Sequence, residues 1–203
     1  MQADSRVILA SGNPGKLKEM AALLEHIGLE VLPQSRFGVP EALETGTSFA
    51  ENAIIKARNA TVHTGLPALA DDSGIEVDVL DGAPGIYSAR FAGSGATDEE
   101  NLQLLIEKVL ATGIERPTAR YQCVIAYLRD PDDATPVIAR GTWHGYIVTS
   151  PRGSNGFGYD PVFYVPEHGC TSAQLDPQVK NRISHRGQAL QVLQQQLSVQ
   201  RDS

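Results

Sequence analysis

Cysteine is scarce in this chain. There are two, Cys123 and Cys170, far apart and outside any C-x-x-C pair. That excludes a disulfide framework and argues against a structural zinc site, both of which need clustered thiols. Long apolar runs are missing as well. No stretch approaches the roughly 20 residues of a membrane span. The run from Val7 to Ala10 is too short for a signal peptide, and Asp4 and Arg6 precede it. The expectation is a soluble cytoplasmic protein with no membrane partner. Positive charge is in deficit: 17 Lys+Arg stand against 24 Asp+Glu, a formal net charge of −7. This speaks against a nucleic-acid binder, which needs a broad basic face. It leaves room for a small anionic ligand, because a pocket can be basic inside an acidic protein. Repeats, low-complexity tracts and a clear linker are also absent.

What is present suffices for a folded core. Of 203 residues, 41% are hydrophobic and 20% charged, a globular balance. The length allows one large domain or two small intimate ones. We expect one domain over residues 1–203.

Arg6 to Ala10 reads as a short buried strand that breaks into SGNPGK. Leu17, Met20, Ala21, Leu24 and Ile27 then recur at helical spacing, with Gly28 as a stop. Leu29 to Leu32 reads as a strand. Ser48 and Glu51 have capping-box spacing and open a helix over Phe49 to His63, ending at Gly65. Pro67 to Asp71 reads as a strand, DDSG as an acidic turn, and Ile75 to Leu80 as a second strand with one wet face. A Gly/Pro loop, GAPGIYSARFAG, precedes a helix capped by Thr97 and Glu100, with Leu102, Leu105, Ile106 and Val109 as its buried stripe. Ala119 to Leu128 and Val137 to Thr149 read as long strands. SPRGSNGFGYDP is a second Gly-rich loop. Beyond Gly169 the pattern turns helical, with a final helix from near Ser184 carrying Ala189, Leu190, Leu193 and Leu197, and frayed last residues. The order of elements is mixed α/β.

Four constellations could carry chemistry. SGNPGK joins a strand to a helix, where free amides suit phosphate. Gly12 and Gly15 would let the backbone approach closely, and Lys16 would add a point charge. The loop is not a Walker A, since Leu17 follows the lysine; a plain structural turn accounts for it equally well. Glu44, Asp71, Asp72 and Glu51 form an acidic set. Adjacent aspartates repel, and a hard divalent cation such as Mg2+ relieves that repulsion; a solvated acidic turn is the alternative. Lysines number only five, and Lys16, Lys56 and Lys180 fall beside the other candidate residues; the alternative is a composition that favours arginine. Finally, Phe157, Gly158, Tyr159 and Asp160 with Ser184, His185 and Arg186 offer flat faces, an acceptor and donors for a base. Core aromatics and a simple helix cap would explain the same residues.

Taken together, SGNPGKLKE, ETGTSFAENAIIKA, LADDSGIEVDVLDGAPGIYSAR, SPRGSNGFGYDPVF and KNRISHRGQAL closely resemble the inosine triphosphate pyrophosphatase family, in family order from Val7 to about Leu197. The resemblance implies an elongated α/β fold: a mixed β-sheet core with flanking helices, two lobes around a central substrate cleft, and a homodimer. It implies hydrolysis of ITP, dITP and XTP to the monophosphate and pyrophosphate, with Mg2+ as cofactor. It assigns Ser11, Gly12, Asn13, Pro14, Gly15 and Lys16 to the phosphate loop and Lys56 to a phosphate contact. It makes Asp72 the general base and a metal ligand, with Glu44 and Asp71 as further members of the metal site. Ser73 matches a substrate contact. Phe157, Gly158, Tyr159, Asp160, Lys180, His185 and Arg186 match the base pocket. One departure lies in Thr171 to Leu175, where members often carry an aromatic and a Glu and this chain has Ser172 and Gln174. Rival readings are a pyrophosphatase for another modified nucleotide, a non-catalytic nucleotide sensor and a single-stranded RNA module. The complete acidic set disfavours the sensor, and the charge of −7 disfavours the RNA module.

Overall fold

The computed structural model describes residues 6–24 and 29–201. The expected helix positions Ile27 and Gly28 lie outside the described residues.

The chain runs β1 (Arg6–Leu9), α1 (Pro14–Leu24), β2 (Glu30–Pro33), α2 (Phe49–Thr64), β3 (Ala68–Val77), α3 (Asp98–Ala111), β4 (Thr118–Leu128), β5 (Val137–Ile147), β6 (Phe163–Val165), β7 (Cys170–Thr171), α4 (Pro177–Ile183) and α5 (His185–Arg201), with short 3-10 turns between. One seven-stranded sheet has the order β2-β1-β3-β4-β5-β6-β7. β1 is parallel to both β2 and β3, whereas β6 is antiparallel to β5 and to β7. This is the expected α/β class, a mixed sheet with flanking helices. Among the described residues no helix is long and apolar enough to cross a membrane.

The chain divides into two compact units. The first holds the described residues up to Asp72, then Cys123–Gly141, then the chain from Arg186 onward; the second holds Ser73–Gln122 and Thr142–His185. The first unit has a core on each face of its sheet, because successive strand residues point to opposite sides. Val7 and Leu9 pack with Met20, Leu24, Cys123, Ile125, Leu190 and Leu193. Ile8 and Ala10 pack with Ala53, Ala57 and Ala60 of α2. Those alanines recur at helical spacing, so α2 presents a small-residue face to the sheet.

The second unit has one core. The α3 stripe of Leu102, Leu105, Ile106 and Val109 packs on Ile75, Val77, Tyr121, Trp143, Ile147, Phe163 and Val165. The helix starts where its capping box sets it. Thr97 Oγ1 accepts from the Glu100 amide at 3.2 Å, and the Glu100 carboxylate accepts from the Thr97 amide at 2.7 Å. Leu105 is fully buried in this core. Leu105→Ala should therefore cost about 2–5 kcal/mol of stability, from lost burial plus the cavity left behind. Urea unfolding monitored through Trp143 measures it.

One local expectation is corrected. DDSG is not a turn: residues 68–77 form a single strand, β3, and the wet segment after it is a 3-10 turn, Asp78–Leu80. Sequence chemistry favoured a turn there, but the segment is held in the sheet between β1 and β4. Two further strands, β6 and β7, are too short to have shown a period of their own.

Candidate active site

In the first unit, β1 ends in the loop that starts α1. Asn13 caps the helix: its Oδ1 accepts from the Lys16 amide at 3.1 Å and its carbonyl from Leu17 at 3.0 Å. Pro14 takes the first helical position, where a missing N–H costs nothing. Ser11 Oγ accepts from the Asn13 amide at 3.3 Å. Gly12 is closely approached, since a Cβ there would lie 1.9 Å from Glu41 Oε1. Glu41 was not anticipated; the loop from Gly38 to Thr47 carries no periodic signal that would place it.

Asp71 and Asp72 are adjacent in β3 and consequently face opposite sides of the sheet. Their nearest cations differ. Asp71 Oδ2 lies 3.3 Å from Lys16 Nζ and 3.1 Å from an Arg186 guanidinium nitrogen. Arg186 is itself fully buried and also pairs with Glu19. Burial alone would push the Asp71 carboxyl up, yet Lys16, Arg186 and Lys56 hold it well below the usual carboxylate range. Its Oδ1 is buried with no hydrogen-bond partner among the described residues. Beside it, burial and the Asp71 charge push the Cys123 thiol up to about 12, so it stays protonated at neutral pH.

Asp72 faces α2. Lys56 Nζ donates to Asp72 Oδ1 at 2.7 Å and to Glu44 Oε1 at 2.9 Å, so one ammonium joins the two carboxylates. Asn52, one turn before Lys56 and fully buried, sets its Nδ2 3.4 Å from Asp72 Oδ2 and accepts from the Gly46 amide at 2.8 Å. It thereby ties the Glu44 loop to Asp72. Glu51 reaches back to the Thr47 amide at 2.6 Å, tightening the same loop, while Ser48 caps α2 as expected. Burial raises the Asp72 carboxyl above its usual value, and the Glu44 charge adds to this; Lys56 and Lys16 offset it only in part. Burial would lower the Lys56 ammonium, but Asp72, Asp71 and Glu44 raise it on balance.

Glu44 and Asp72 are hard oxygen donors of the kind Mg2+ prefers. Among the described residues, no group of three or more His, Cys, Asp or Glu is disposed to hold a metal ion. Asp71 engages Lys16 and Arg186 instead.

In the second unit, Ser73 continues β3. The loop ending in Gly156-Phe157-Gly158-Tyr159-Asp160 is tied at several points. The Phe157 amide donates to Asp160 Oδ2 at 2.9 Å, and the Gly158 amide to Asp98 Oδ2 at 3.0 Å. The Tyr159 hydroxyl donates to the Ser88 carbonyl at 2.8 Å, and its ring belongs to the core. Burial raises the Tyr159 phenol above its usual value. Phe157 is half-buried, with Lys180 Nζ 5.3 Å from its ring centroid. Lys180 and Asp160 form a buried ion pair at 2.6 Å. His185 stacks on Tyr121, with centroids 4.6 Å apart and planes at 7°. The structure thus groups Phe157, Gly158, Asp160 and Lys180, sets Tyr159 in the core, and places Arg186 beside Asp71.

Sequence reading missed Asn52, Glu19, Asp98 and Tyr121. Asn52 and Glu19 did carry a signal, since each lies within one helical turn of a candidate lysine. Asp98 and Tyr121 are brought in by tertiary contact alone.

This combination is that of an α/β protein whose strand–loop–helix turn can bind anions and whose lysines sit on buried carboxylates. The chain belongs to the Ham1 family, which matches residues 7–196. It is 55% identical over 196 residues to a dITP/XTP pyrophosphatase of Vibrio cholerae, covering 97% of this chain and 98% of that protein. A dITP/XTP pyrophosphatase of Escherichia coli O157:H7 is 53% identical over 188 residues, covering 93% and 95%. Among solved structures, a HAM1 protein from Coxiella burnetii superposes with a TM-score of 0.88 at 51% identity, covering 96% of this chain and 98% of that one.

Proposed function

We propose that this chain hydrolyses non-canonical purine nucleoside triphosphates (ITP, dITP and XTP) to the monophosphate and pyrophosphate. The observation that carries the reading is the Glu44–Lys56–Asp72 arrangement, a buried and a half-buried carboxylate joined by one ammonium, in a chain 55% identical to a dITP/XTP pyrophosphatase. The reaction is NTP + H2O → NMP + PPi. It divides a phosphoanhydride between the α- and β-phosphorus, so charge stabilisation and positioning supply most of the catalysis.

Asp72 is the base. Its carboxyl is raised by burial, which makes the ionised form a better proton acceptor than an exposed aspartate. It accepts the proton of the attacking water at a carboxylate oxygen. Lys56 and Lys16 balance phosphate charge, and the α1 start with Ser11, Gly12, Asn13 and Gly15 offers backbone donors. Glu44 and Asp72 would hold Mg2+, which when bound acidifies water and neutralises phosphate charge. We assign Asp71 to anchoring Lys16 and Arg186 rather than to the metal. Phe157, Asp160, Lys180 and His185 serve the base, with Lys180 as a donor for the 6-oxo group. ATP carries a 6-amino donor instead, and an unmatched buried polar group costs about 1–3 kcal/mol. Two mismatches give about a thousandfold preference. Homodimer formation and a cytoplasmic nucleotide pool complete the proposal.

Pyrophosphate release from ITP, dITP, XTP, GTP and ATP, with Mg2+ and with EDTA, tests it. The first three should lead ATP by about a thousandfold in kcat/KM, and EDTA should abolish turnover. Equal kcat/KM for ATP and ITP overturns the reading.

A further inference from the structure

Asp160 is buried, and its two carboxylate oxygens are engaged differently. Oδ2 accepts from Lys180 Nζ at 2.6 Å and from the Phe157 amide at 2.9 Å. Oδ1 accepts from Ser172 Oγ at 2.8 Å. Ser172 is 0% exposed. Its position is set by backbone: it opens the 3-10 turn Ser172–Gln174, the Ala173 amide donates to the Asp160 carbonyl at 3.1 Å, and the Asn155 amide donates to the Ala173 carbonyl at 3.0 Å. Gln174 locks the turn from its other end, accepting from the Thr171 amide at 3.0 Å. Gly156 keeps the opposite side clear. A Cβ there would lie 2.0 Å from Asp160 Oδ2 and 3.0 Å from Lys180 Nζ.

A carboxylate has one soft torsion, and its terminal rotation is broad unless both oxygens are held. Here the hydroxyl holds one oxygen, and the ammonium and an amide hold the other. The aim of Lys180 therefore depends on the rotation of Asp160, and that rotation depends on Ser172. We propose that Ser172 is a positioning residue for base selectivity, fixing the Asp160 carboxylate so that Lys180 meets the 6-oxo group of the purine. The proposal rests on the reading of Lys180 as the 6-oxo donor. A hydroxyl to a buried carboxylate is a charge-assisted bond, stronger than a neutral one. Without it, Oδ1 must rotate or admit water, and Lys180 moves with the carboxylate.

The test compares kcat and KM for ITP and ATP in wild type, Ser172→Ala, Ser172→Thr and Lys180→Met, with melting temperature as a check of folding. Ser172→Ala should raise KM for ITP about tenfold with kcat within about twofold, and lower the ITP/ATP ratio of kcat/KM about tenfold. Ser172→Thr, which keeps the hydroxyl, should recover the ratio. Lys180→Met should abolish the preference. An unchanged ratio in Ser172→Ala, whatever its melting temperature, overturns the proposal while the loss in Lys180→Met leaves the base reading intact. An unchanged ratio in Lys180→Met overturns both. Should Ser172→Ala fail to fold, Ser172→Cys replaces it: a weaker donor should give an intermediate ratio, and a wild-type ratio again overturns the proposal.

Discussion

Asp72→Asn should lower kcat for pyrophosphate release by about 10²–10⁴-fold while leaving the metal-free protein at least as stable as wild type at neutral pH. The two effects have one cause. Burial and the Glu44 charge hold the Asp72 carboxyl above its usual value, with Lys56 and Lys16 compensating only in part. A carboxyl whose folded pKa is raised binds its proton more tightly in the folded state than in the unfolded state. Stability therefore falls as pH rises from the unfolded pKa through the folded one, and the cost persists at neutral pH. Asparagine cannot ionise and does not incur that cost. Lys56, which lies 2.9 Å from Glu44 Oε1, still has that carboxylate to pair with when Asp72 is replaced. The stability advantage should be present at neutral pH in EDTA and should vanish in acid below the usual carboxylate range, where the wild-type side chain is protonated too. Added Mg2+ should then stabilise wild type more than the variant, since only wild type has both proposed ligands. Paired melting curves and initial rates decide the matter. Near wild-type kcat in a folded Asp72→Asn protein would remove Asp72 from the role of base.

Much of this site was legible because local signals coincide with its parts. The Gly-rich break after Leu9, the Ser48 cap of α2 and the Thr97–Glu100 box each fall where the chain turns or starts a helix. Lys16, Lys56 and Lys180, from a total of five lysines, each end on a buried carboxylate. What sequence could not supply is sidedness. Adjacent Asp71 and Asp72 read as a repelling pair in a turn, yet a strand sends them apart. The cations that stabilise this arrangement come from α1, α2 and α5, remote along the chain. The same holds for Tyr159, whose ring suits base stacking but whose hydroxyl is fixed on the Ser88 carbonyl within the core. Ser172 had no local signature at all, because its partner lies 12 residues away on another loop.

Arg186→Met should destabilise the protein by about 3–5 kcal/mol at neutral pH, the usual consequence of breaking a buried ion pair from one side. The guanidinium is 1% exposed, lies 3.1 Å from Asp71 Oδ2 and also engages Glu19. Its removal takes a cation from a carboxylate that burial would otherwise push up and that Lys16, Arg186 and Lys56 keep depressed. A carboxyl with a depressed folded pKa contributes stability that is present above its unfolded value of 3.8 and is lost as pH falls through the folded value. The gap between wild type and variant should therefore be full at neutral pH and should narrow in acid, where protonation of Asp71 removes the charge that Arg186 was balancing. Denaturant unfolding at neutral and acidic pH measures both the size and the trend. The sequence resemblance gave Arg186 to the purine base, and that role predicts a different result: a raised KM for ITP with unfolding free energy unchanged. A variant that melts like wild type and fails only in substrate affinity would return Arg186 to the base pocket and leave Lys16 as the main partner of Asp71.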